Sequence, residues 1–551
     1  MKRSVKILAT SFALLAGLPA AHAQIFSSTM VGANENPPAA STGSGSGIIM
    51  LNPTTRQMRV NANFSGLTSN STVAHIHCCV APTANAGVAT TTPTFVGFPL
   101  GVTSGAWDRT YDMTQATTWN APFIAANGGT PAGAEARLLA GAAAGQAYLN
   151  VHSVTFPGGE LRGTLVLQTF APNATGGARG AAAALDAQGA GAGAMSDALM
   201  TLALLTPAQQ TAALEKLTPT PSRGAQVVTS NAMTSSFDQV SSRLDGLRLA
   251  DSGHYPVTLA AVGVLPTGTA AGGVPERNGF WLKGYGVQSR QDLKDGFAGY
   301  KSDGWGLAAG LDRRFAPGLF IGAALSYSDT ELTYRDQLTG NSGGVSGTQL
   351  TLYGTHDMGR VYIDGMLAYA RQKYDSSRNT GVTGIAAGSY DGHQWGVRIG
   401  GGMPLALSTN VTLTPQIRLD WDSIKQDGYT EAGGGALALN VASKSADHVR
   451  SSLGAQLDHD TVLGGVKSRS FLRAYWHHEF KNNGIDAAAS FVGGGASFIT
   501  PGQKPDSNTY TLGAGINFYT RSSFTASLAY DATLGNSYLS HVLQAKARWV
   551  F

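Results

Sequence analysis

The chain has 551 residues, a formal net charge of +4 and only 13% charged residues, and it contains 71 glycines. So few charges are atypical of a cytosolic enzyme, and a mean hydropathy near zero is too polar for a bundle of membrane helices. The small net charge gives no reason to expect a nucleic-acid partner. The length favours about two to four domains.

The first 23 residues have the features of a secretory signal peptide. Basic Lys2 and Arg3 precede an apolar run over residues 7–18, and small residues surround a cleavage site after Ala23. The run is too short for a transmembrane helix, and no later segment reaches about 18 consecutive apolar residues. We therefore expect export from the cytoplasm without a helical membrane anchor.

Residues 24–170 are rich in Thr, Asn, Pro and Gly and contain short strand-like runs, such as 48–51 and 162–166. Turn signals, such as Asn52-Pro53, separate these runs. No long helical period occurs, so the spacing predicts a small all-β sandwich.

Residues 171–274 have a different composition. The first part, to about residue 194, is dominated by Ala and Gly and is predicted to be a linker. A helix is predicted to begin at Thr206-Pro207, because Thr caps helices and Pro suits their first position. A second helix is predicted over about 225–247, and its many small polar residues suit a narrow tube.

From about residue 275 to residue 551, apolar and polar residues alternate with a period of two. In the stretch 411–422 apolar residues occupy the odd positions, whereas Arg418 and Asp420 belong to the opposite face. About twelve runs of this kind occur, and bacterial outer-membrane barrels have an even number of strands. In such a barrel the apolar face meets lipid and the polar face lines the lumen.

The alternative to a barrel is a secreted two-sheet sandwich with one solvated face. Aromatic residues near strand ends, as in the girdles of membrane barrels, favour the barrel. These residues are Tyr327, Tyr369, Trp395, Trp421 and Tyr530. The aromatic last residue, Phe551, also favours a barrel, and we expect it to act as a C-terminal assembly signal.

We expect the helix over 225–247 to occupy the lumen of this barrel. Its Thr, Ser, Asn and Gln side chains can bond to a polar interior. Arg243 and Arg248 are expected to pair with lumen carboxylates such as Asp420 or Glu431. The alternative is a helix packed outside, on the periplasmic rim, which would leave the pore open.

The C-terminal part, roughly residues 275–551, resembles the β-domain of autotransporters (type V secretion). The matching segments are Gly279–Gly284, Gly306–Asp312, Tyr429–Glu431 and the terminal Phe551, and the segment from Ala181 onwards resembles the lead-in of such barrels. The resemblance implies a twelve-stranded pore, threaded by a helix, through which an N-terminal passenger reaches the cell surface. It also implies that Glu431 faces the threaded helix, a solvated loop carboxylate being the alternative.

Residues 28–167 resemble a CHRD domain, the module named from chordin. The matching motifs are Glu35–Pro38, Ala74–His77, Ala147–His152 and Pro157–Gly163, in the expected order. The resemblance implies an immunoglobulin-like β-sandwich but no secure general activity. The chain departs from many members at Cys78-Cys79, where they have small residues.

Three histidines are the candidate metal ligands. His75 and His77 point to one face of a strand because successive side chains alternate, and His152 in another strand could reach the same face. Three neutral imidazoles suit copper or zinc, and a thiolate would suit copper further. The alternative is a structural role in which these histidines bond to backbone groups and to acids such as Glu160.

The only cysteines, Cys78 and Cys79, are adjacent, so a scaffold of ordinary disulfides is excluded. They are expected either to close a vicinal disulfide that forms a rigid turn or to remain thiols beside the histidines. The structural turn is the favoured alternative.

Together these patterns predict an all-β protein with a helical linker. Its parts are a signal peptide (1–23), a CHRD-like sandwich passenger (24–170), a linker and helical lead-in (171–274) and a twelve-stranded barrel (275–551). We expect it in the outer membrane, with the passenger at the cell surface.

The passenger is predicted to act in binding or adhesion. The alternative is a redox module that binds copper or zinc through the three histidines. No catalytic constellation is found, since no G-x-S-x-G nucleophile motif occurs, so no enzyme is predicted. No cofactor is expected other than that copper or zinc. The expected partners are outer-membrane lipid, the barrel assembly machinery and an unidentified surface ligand, but no nucleic acid, and the barrel is expected to be monomeric.

Overall fold

The computed structural model describes residues 24–188, 193–219, 224–251, 278–481, 484, 486–521 and 524–550. The chain divides into two compact units. The first comprises residues up to Thr169 together with Leu185–Leu204, and the second comprises Phe170–Ala184 together with Leu205 onwards. The segment predicted as linker and lead-in is therefore shared between the units. The predicted signal peptide and Phe551 lie outside the described residues.

The first unit is built on an eight-stranded antiparallel sheet. Its described strands are β1 (Gln24–Val31), β2 (Ser44–Asn52), β3 (Gln57–Ser65), β4 (Ser71–Cys78), β5 (Gly105–Asp112), β6 (Ala147–Ser153), β7 (Leu161–Thr164) and β8 (Val166–Leu167). The spatial order is β4-β6-β7-β1-β2-β3-β5, and β8 pairs with β1. The sheet is sandwich-like, as predicted, and the turn-separated short runs of the sequence are its strands.

One hydrophobic core lies on one side of this sheet. Ile49 on β2, Ile76 on β4 and Leu149 on β6 have no solvent exposure and belong to the same cluster. Because side chains alternate along a strand, the residues next to Ile76, His75 and His77, lie on the other face. The period of two therefore separates an apolar core from a polar face.

Two helices interrupt the first unit, and sequence reasoning missed both. They are α1 (Ala121–Ala126) and α2 (Pro131–Ala143). The local signal was present, since the Thr130 hydroxyl accepts from the Gly133 amide at 3.1 Å and Pro131 takes the first helical position. The buried face of α2 contains one large apolar residue, Leu138, among small residues and Glu135, so it gave no visible helical period. The prediction of a region without a long helix was wrong here.

Four further helices follow. They are α3 (Arg179–Gln188), α4 (Ala194–Ala203), α5 (Pro207–Lys216) and α6 (Ala225–Asp251). Helix α3 lies within the predicted linker, because alanines propagate a helix well even without a marked apolar pattern. Helix α5 begins as predicted, with Thr206 and Gln209 forming a reciprocal capping box. Among the described helices, none is both long and apolar enough to cross a membrane.

The second unit is a closed barrel of twelve strands within the described residues. Its ring strands are β9 (Asn278–Gln291), β10 (Tyr300–Ala316), β11 (Leu319–Tyr334), β12 (Ser342–Asp357), β13 (Tyr362–Asn379), β14 (Ile385–Gly402), β16 (Val411–Gln426), β20 (Lys444–Leu463), β21 (Val466–Lys481), β24 (Asn508–Arg521), β25 (Phe524–Leu534) and β26 (Tyr538–Val550). Each pairs antiparallel with the next, and β26 pairs with β9, so the ring closes.

Short strands extend the barrel. They are β15 (Leu405–Ala406), β17 (Tyr429–Thr430), β18 (Ala432–Gly433), β19 (Leu439–Val441), β22 (Ala487–Phe491) and β23 (Phe498–Thr500). Strands β17, β19, β22 and β23 form a separate four-stranded sheet.

The alternation along β16 gives the barrel its two faces. Ile417 and Leu419 are 62% and 49% exposed on the outside, whereas Gln416 and Asp420 are buried inside. An apolar outer surface and a polar interior are what a lipid-embedded barrel requires. The predicted fold class is therefore confirmed, and the two-sheet sandwich is excluded for this part of the chain.

Helix α6 lies inside the barrel. It contacts the ring strands β10, β11, β12, β13 and β16. Its buried Met233, Phe237 and Leu244 pack in one cluster with inward-facing Trp281 and Met366. The prediction of a lumen helix is confirmed, and packing on the outer rim is excluded. The helix is also less polar than expected, because it keeps one apolar stripe against the wall.

Candidate functional site

Two groupings of polar residues stand out, one in each unit. In the barrel, arginine–aspartate pairs join α6 to the wall. Arg243 contacts Asp312 at 2.6 Å, Arg248 contacts Asp364 at 2.5 Å, and Asp238 contacts Arg398 at 2.6 Å. Charge-assisted pairs of this kind are strong and directional, and removing one partner of a buried pair leaves an uncompensated charge. They hold the helix at defined positions along the lumen.

Both arginines pair with lumen carboxylates, as expected, but not with the two named from the sequence, Asp420 and Glu431. Asp420 bonds to Arg398 and Arg450 of the wall, at 2.5 and 3.1 Å. Pairing between neighbouring strands is set by register, and Arg398 lies directly opposite Asp420. Asp420 is therefore already engaged without the helix.

Glu431 does not bond to α6 either. Its carboxylate accepts from the Arg378 guanidinium and from the Leu439 amide, and it is buried. Arg378 donates in turn to the Lys216 carbonyl at the end of α5, at 2.8 Å. Glu431 thus connects a wall loop to the lead-in rather than to the threaded helix, and the alternative of a solvated loop carboxylate is also wrong. The reason is its position in β17–β18, outside the ring strands.

Smaller polar contacts continue along α6. Ser230 donates to Asp422 at 2.9 Å, Asn231 donates to the Tyr538 hydroxyl at 2.9 Å, and Gln226 contacts His448 at 2.7 Å. A cavity of about 160 Å³ remains beside the helix, lined among others by Arg418, Arg450 and Arg473. The lumen is thus largely filled, and the wall of the remaining gap contains both arginines and carboxylates, among them Asp238 and Asp531.

In the first unit, His75, His77 and His152 come together on the polar face of the sheet. Strands β4 and β6 are neighbours, and the register places Asn150 opposite His75 and Tyr148 opposite His77. One ring nitrogen from each histidine lies within 4.8 Å of the others. All three residues are at most 9% exposed. The structure thus brings together the three histidines that the sequence singled out.

Each histidine uses one nitrogen to donate to a backbone carbonyl. The bonds are His75 Nε2 to Pro93 O at 2.7 Å, His77 Nδ1 to Ala86 O at 2.9 Å and His152 Nδ1 to Pro157 O at 2.9 Å. A carbonyl can only accept, so these nitrogens carry the proton and the other nitrogen of a neutral ring is a free acceptor.

The three remaining nitrogens have no hydrogen-bond partner among the described residues. They are His75 Nδ1, His77 Nε2 and His152 Nε2. Burial lowers the pKa of all three histidines, that of His77 to about 4, because an imidazolium would be poorly solvated there. The rings are therefore neutral near pH 7, and the site contains three unprotonated nitrogens.

Glu160 is not part of this cluster. Its carboxylate accepts from Ser41 and from the amide and hydroxyl of Thr68, at 2.6 to 2.8 Å. The structural alternative for the histidines is therefore correct for the backbone carbonyls but not for this acid.

Cys78 and Cys79 form a vicinal disulfide, which agrees with the favoured prediction. Cys78 belongs to the hydrophobic core, on the opposite face of β4 from His77. A Cβ at Gly141 on α2 would overlap both sulfurs, so a glycine there lets the helix approach the disulfide. No thiolate from this pair is available to a metal at the histidines.

Other motif residues surround the histidine cluster, and sequence reasoning assigned them no role. The Tyr148 ring stacks on His77 with centroids 4.8 Å apart, and the Arg162 guanidinium lies 3.6 Å from the Tyr148 ring centroid. Asn150 donates to Glu35 at 2.5 Å. The strand alternation of the Ala147–His152 motif could have indicated this shared face, since it places residues 148, 150 and 152 together.

The fold defines an outer-membrane barrel plugged by a helix, preceded by a sandwich-like exported domain. Residues 280–531 match the family model of the autotransporter beta-domain, and residues 26–165 match that of the CHRD domain. The chain therefore contains an autotransporter β-domain and an N-terminal CHRD domain, as their motifs predicted. It is an outer-membrane protein with its passenger on the cell surface.

Curated relatives agree with this location. Outer membrane protein B of Rickettsia prowazekii (strain Madrid E) is 25% identical over 322 residues, which cover 56% of this chain and 19% of that protein. Outer membrane protein A of Rickettsia conorii (strain ATCC VR-613 / Malish 7) is 24% identical, over 59% of this chain and 16% of that protein. This chain thus spans about a fifth of the length of these relatives. Lipase 1 of Photorhabdus luminescens is 27% identical, over 41% of this chain and 35% of that protein.

Solved structures that resemble the chain include the translocator domain of the autotransporter NalP from Neisseria meningitidis. It has 18% sequence identity and a TM-score of 0.42, covering 58% of this chain and 98% of that one. The transport unit of the autotransporter AIDA-I from Escherichia coli has 14% identity and a TM-score of 0.41, covering 56% and 98%.

Proposed function

We propose that the barrel displays the CHRD domain as a binding or adhesive module, without enzymatic activity. The observation that carries this proposal is helix α6 inside a closed barrel, the last described helix before the first ring strand. Any chain N-terminal to a lumen helix has to leave through one mouth of the barrel. The ion pairs between α6 and the barrel wall, two of them buried, keep that connection in place after export.

An exposed apolar patch supports the binding role. Leu100, Val102 and Val154 are 57%, 37% and 66% exposed. The Ser71 amide donates to the Val102 carbonyl at 2.8 Å, and the Val154 amide donates to the neighbouring Asn70 at 3.0 Å, so the patch surrounds the start of β4. Exposed apolar groups clustered on a small domain are typical of protein-interaction surfaces.

The partners follow from the same features. The outward leucines and isoleucines of the ring strands bind outer-membrane lipid. Insertion of a closed ring calls for the barrel assembly machinery. The twelve ring strands leave no unpaired edge among the described residues, which favours a monomeric barrel. The passenger binds a surface ligand, which is not identified.

The test compares bacteria that express the full chain with bacteria that express a chain lacking residues 24–169. We expect surface labelling of the passenger on intact cells, and retention on epithelial monolayers or matrix-coated wells only with the full chain. A Leu100→Asp, Val154→Asp double variant should lower retention at least several-fold at equal surface display. Ser104→Asp, at another exposed loop position, is the matched control. Equal retention of all four strains would overturn the binding role, and unlabelled intact cells would overturn display.

A further inference from the structure

The proposed display and binding role of the passenger does not use its three buried histidines. We propose that His75, His77 and His152 bind one divalent transition-metal ion, with Cu(II) preferred over Zn(II). The ligand atoms are His75 Nδ1, His77 Nε2 and His152 Nε2. The proposal does not depend on the binding role of the passenger.

The first argument is the convergence of three unpaired acceptors. A buried nitrogen without a partner costs free energy, and native structures pair nearly all such groups. Here each of the three rings has one such nitrogen, with no partner among the described residues, and one ligand nitrogen of each ring lies within 4.8 Å of those of the other two. A metal ion shared by the three rings satisfies all three acceptors together.

The second argument is the fit of the distances. Imidazole nitrogens bind Zn(II) at about 2.0–2.1 Å, so two nitrogens on one tetrahedral ion lie roughly 3.4 Å apart. The present separation, up to 4.8 Å, is somewhat wider than this, so the rings close in on the ion when it binds. The register of β4 against β6 fixes the three backbones, so no rearrangement of the sheet is required.

The third argument is the set of carbonyls behind the rings. Metal-binding histidines donate their other ring N–H to a carbonyl or carboxylate, which fixes the tautomer and aims the lone pair. All three histidines have such a carbonyl, from Pro93, Ala86 and Pro157. Pro93 and Ala86 lie in the connection between β4 and β5, and Pro157 lies in the connection between β6 and β7, so two segments that cover the sheet fix the three rings.

The donor set determines the metal. The sulfurs of Cys78 and Cys79 are joined and face the core, and the Glu160 carboxylate is bonded to hydroxyls. Three neutral imidazoles remain, a set that suits Cu(II) and Zn(II), and Cu(II) binds more tightly to a given nitrogen site.

The experiment uses the full chain purified from outer membranes in detergent, stripped with a chelator and titrated with Cu(II) or Zn(II) alone. We expect one ion per chain, with Zn(II) bound more weakly. His77→Gln and His152→Gln should each lower Cu(II) affinity by at least about 100-fold. His356→Gln, which replaces an exposed histidine of the barrel, is the matched control and should change nothing.

Electron paramagnetic resonance of the copper-loaded wild type provides a readout that needs no variant. We expect hyperfine splitting from three equivalent nitrogens and a higher unfolding midpoint of the passenger with metal than without. Copper that is substoichiometric, that lacks nitrogen splitting, or that persists in the His77→Gln, His152→Gln double variant would be adventitious and would overturn the site.

Discussion

The guanidinium of Arg243 on α6 donates two parallel hydrogen bonds to the carboxylate of Asp312 on β10. Nε–Oδ2 is 2.7 Å and Nη2–Oδ1 is 2.6 Å, and both side chains are 2% exposed. A Cβ at Gly279 of β9 would overlap both groups, so a glycine in the first strand makes room for this pair. The first strand of the barrel therefore accommodates this ion pair between the lumen helix and the wall.

Breaking this ion pair should destabilise the barrel with α6 in its lumen. Arg243→Ala leaves Asp312 buried and uncompensated, which costs roughly 3–5 kcal/mol. We expect a lower temperature for the heat-modifiable gel shift of the barrel, and partial recovery in the Arg243→Ala, Asp312→Ala double variant. Arg290→Ala, which removes an exposed partner of Asp292, is the control and should cost at most about 1 kcal/mol. An equal shift in both single variants would contradict a specific role for the buried pair.

The register of α6 in the lumen can be tested by compensation. A Cβ at Gly396 on β14 would overlap the Met233 sulfur. Gly396→Ala should therefore destabilise the plugged barrel by about 1–3 kcal/mol through overpacking. Met233→Ala should restore part of the loss, whereas Met366→Ala should not. The measurement is again the temperature of the gel shift, and a lack of compensation would place Met233 elsewhere.

The plug should limit ion flow. The gap beside α6 is small, so the wild-type barrel is expected to conduct poorly in planar bilayers. Deleting residues 225–247 removes most of the helix and should raise single-channel conductance several-fold. Unchanged conductance after the deletion would remove the helix from the lumen.

Glu35 in the CHRD domain should make stability depend on pH. Burial raises its pKa from 4.5 to about 7, so the folded state holds the proton more tightly than the unfolded state does. Stability is therefore lost as pH rises from about 4.5 to about 7. Glu35→Gln removes that loss of stability. With a chelator in the buffer, this substitution should raise the thermal unfolding midpoint of the passenger by roughly 2–8 °C at pH 8 and hardly at all at pH 4.5.

Calorimetry of the full chain checks this, with the passenger transition identified by its shift in Leu149→Ala. The control is Asp108→Asn, whose effect on stability should depend on pH in the opposite direction. Bonding to Arg59 lowers the pKa of Asp108, so this substitution should destabilise at pH 8 and progressively less as pH falls below 4. A Glu35→Gln effect that is the same at both pH values would show that the carboxyl is not held protonated.

Features that repeat locally were predictable from the sequence. The period of two along stretches such as 411–422 indicated both barrel faces, because alternation follows from strand geometry alone. The same rule placed His75 and His77 on one face before any pairing was known. The small polar residues of 225–247 indicated a lumen helix. Helix α2 was missed because the small residues on its buried face differ little in hydrophobicity from the rest of the helix.

Choices between distant partners belonged to the tertiary structure. Arg243 has several lumen carboxylates available in sequence, and only ring closure and register bring Asp312, rather than Asp420 or Glu431, to it. In the same way, only the pairing of β4 with β6 turns His152 towards the histidine pair, and only the covering loops supply the three carbonyls that aim the free nitrogens. Periodicity is a property of neighbouring residues, whereas partner identity depends on which strands meet and at what offset.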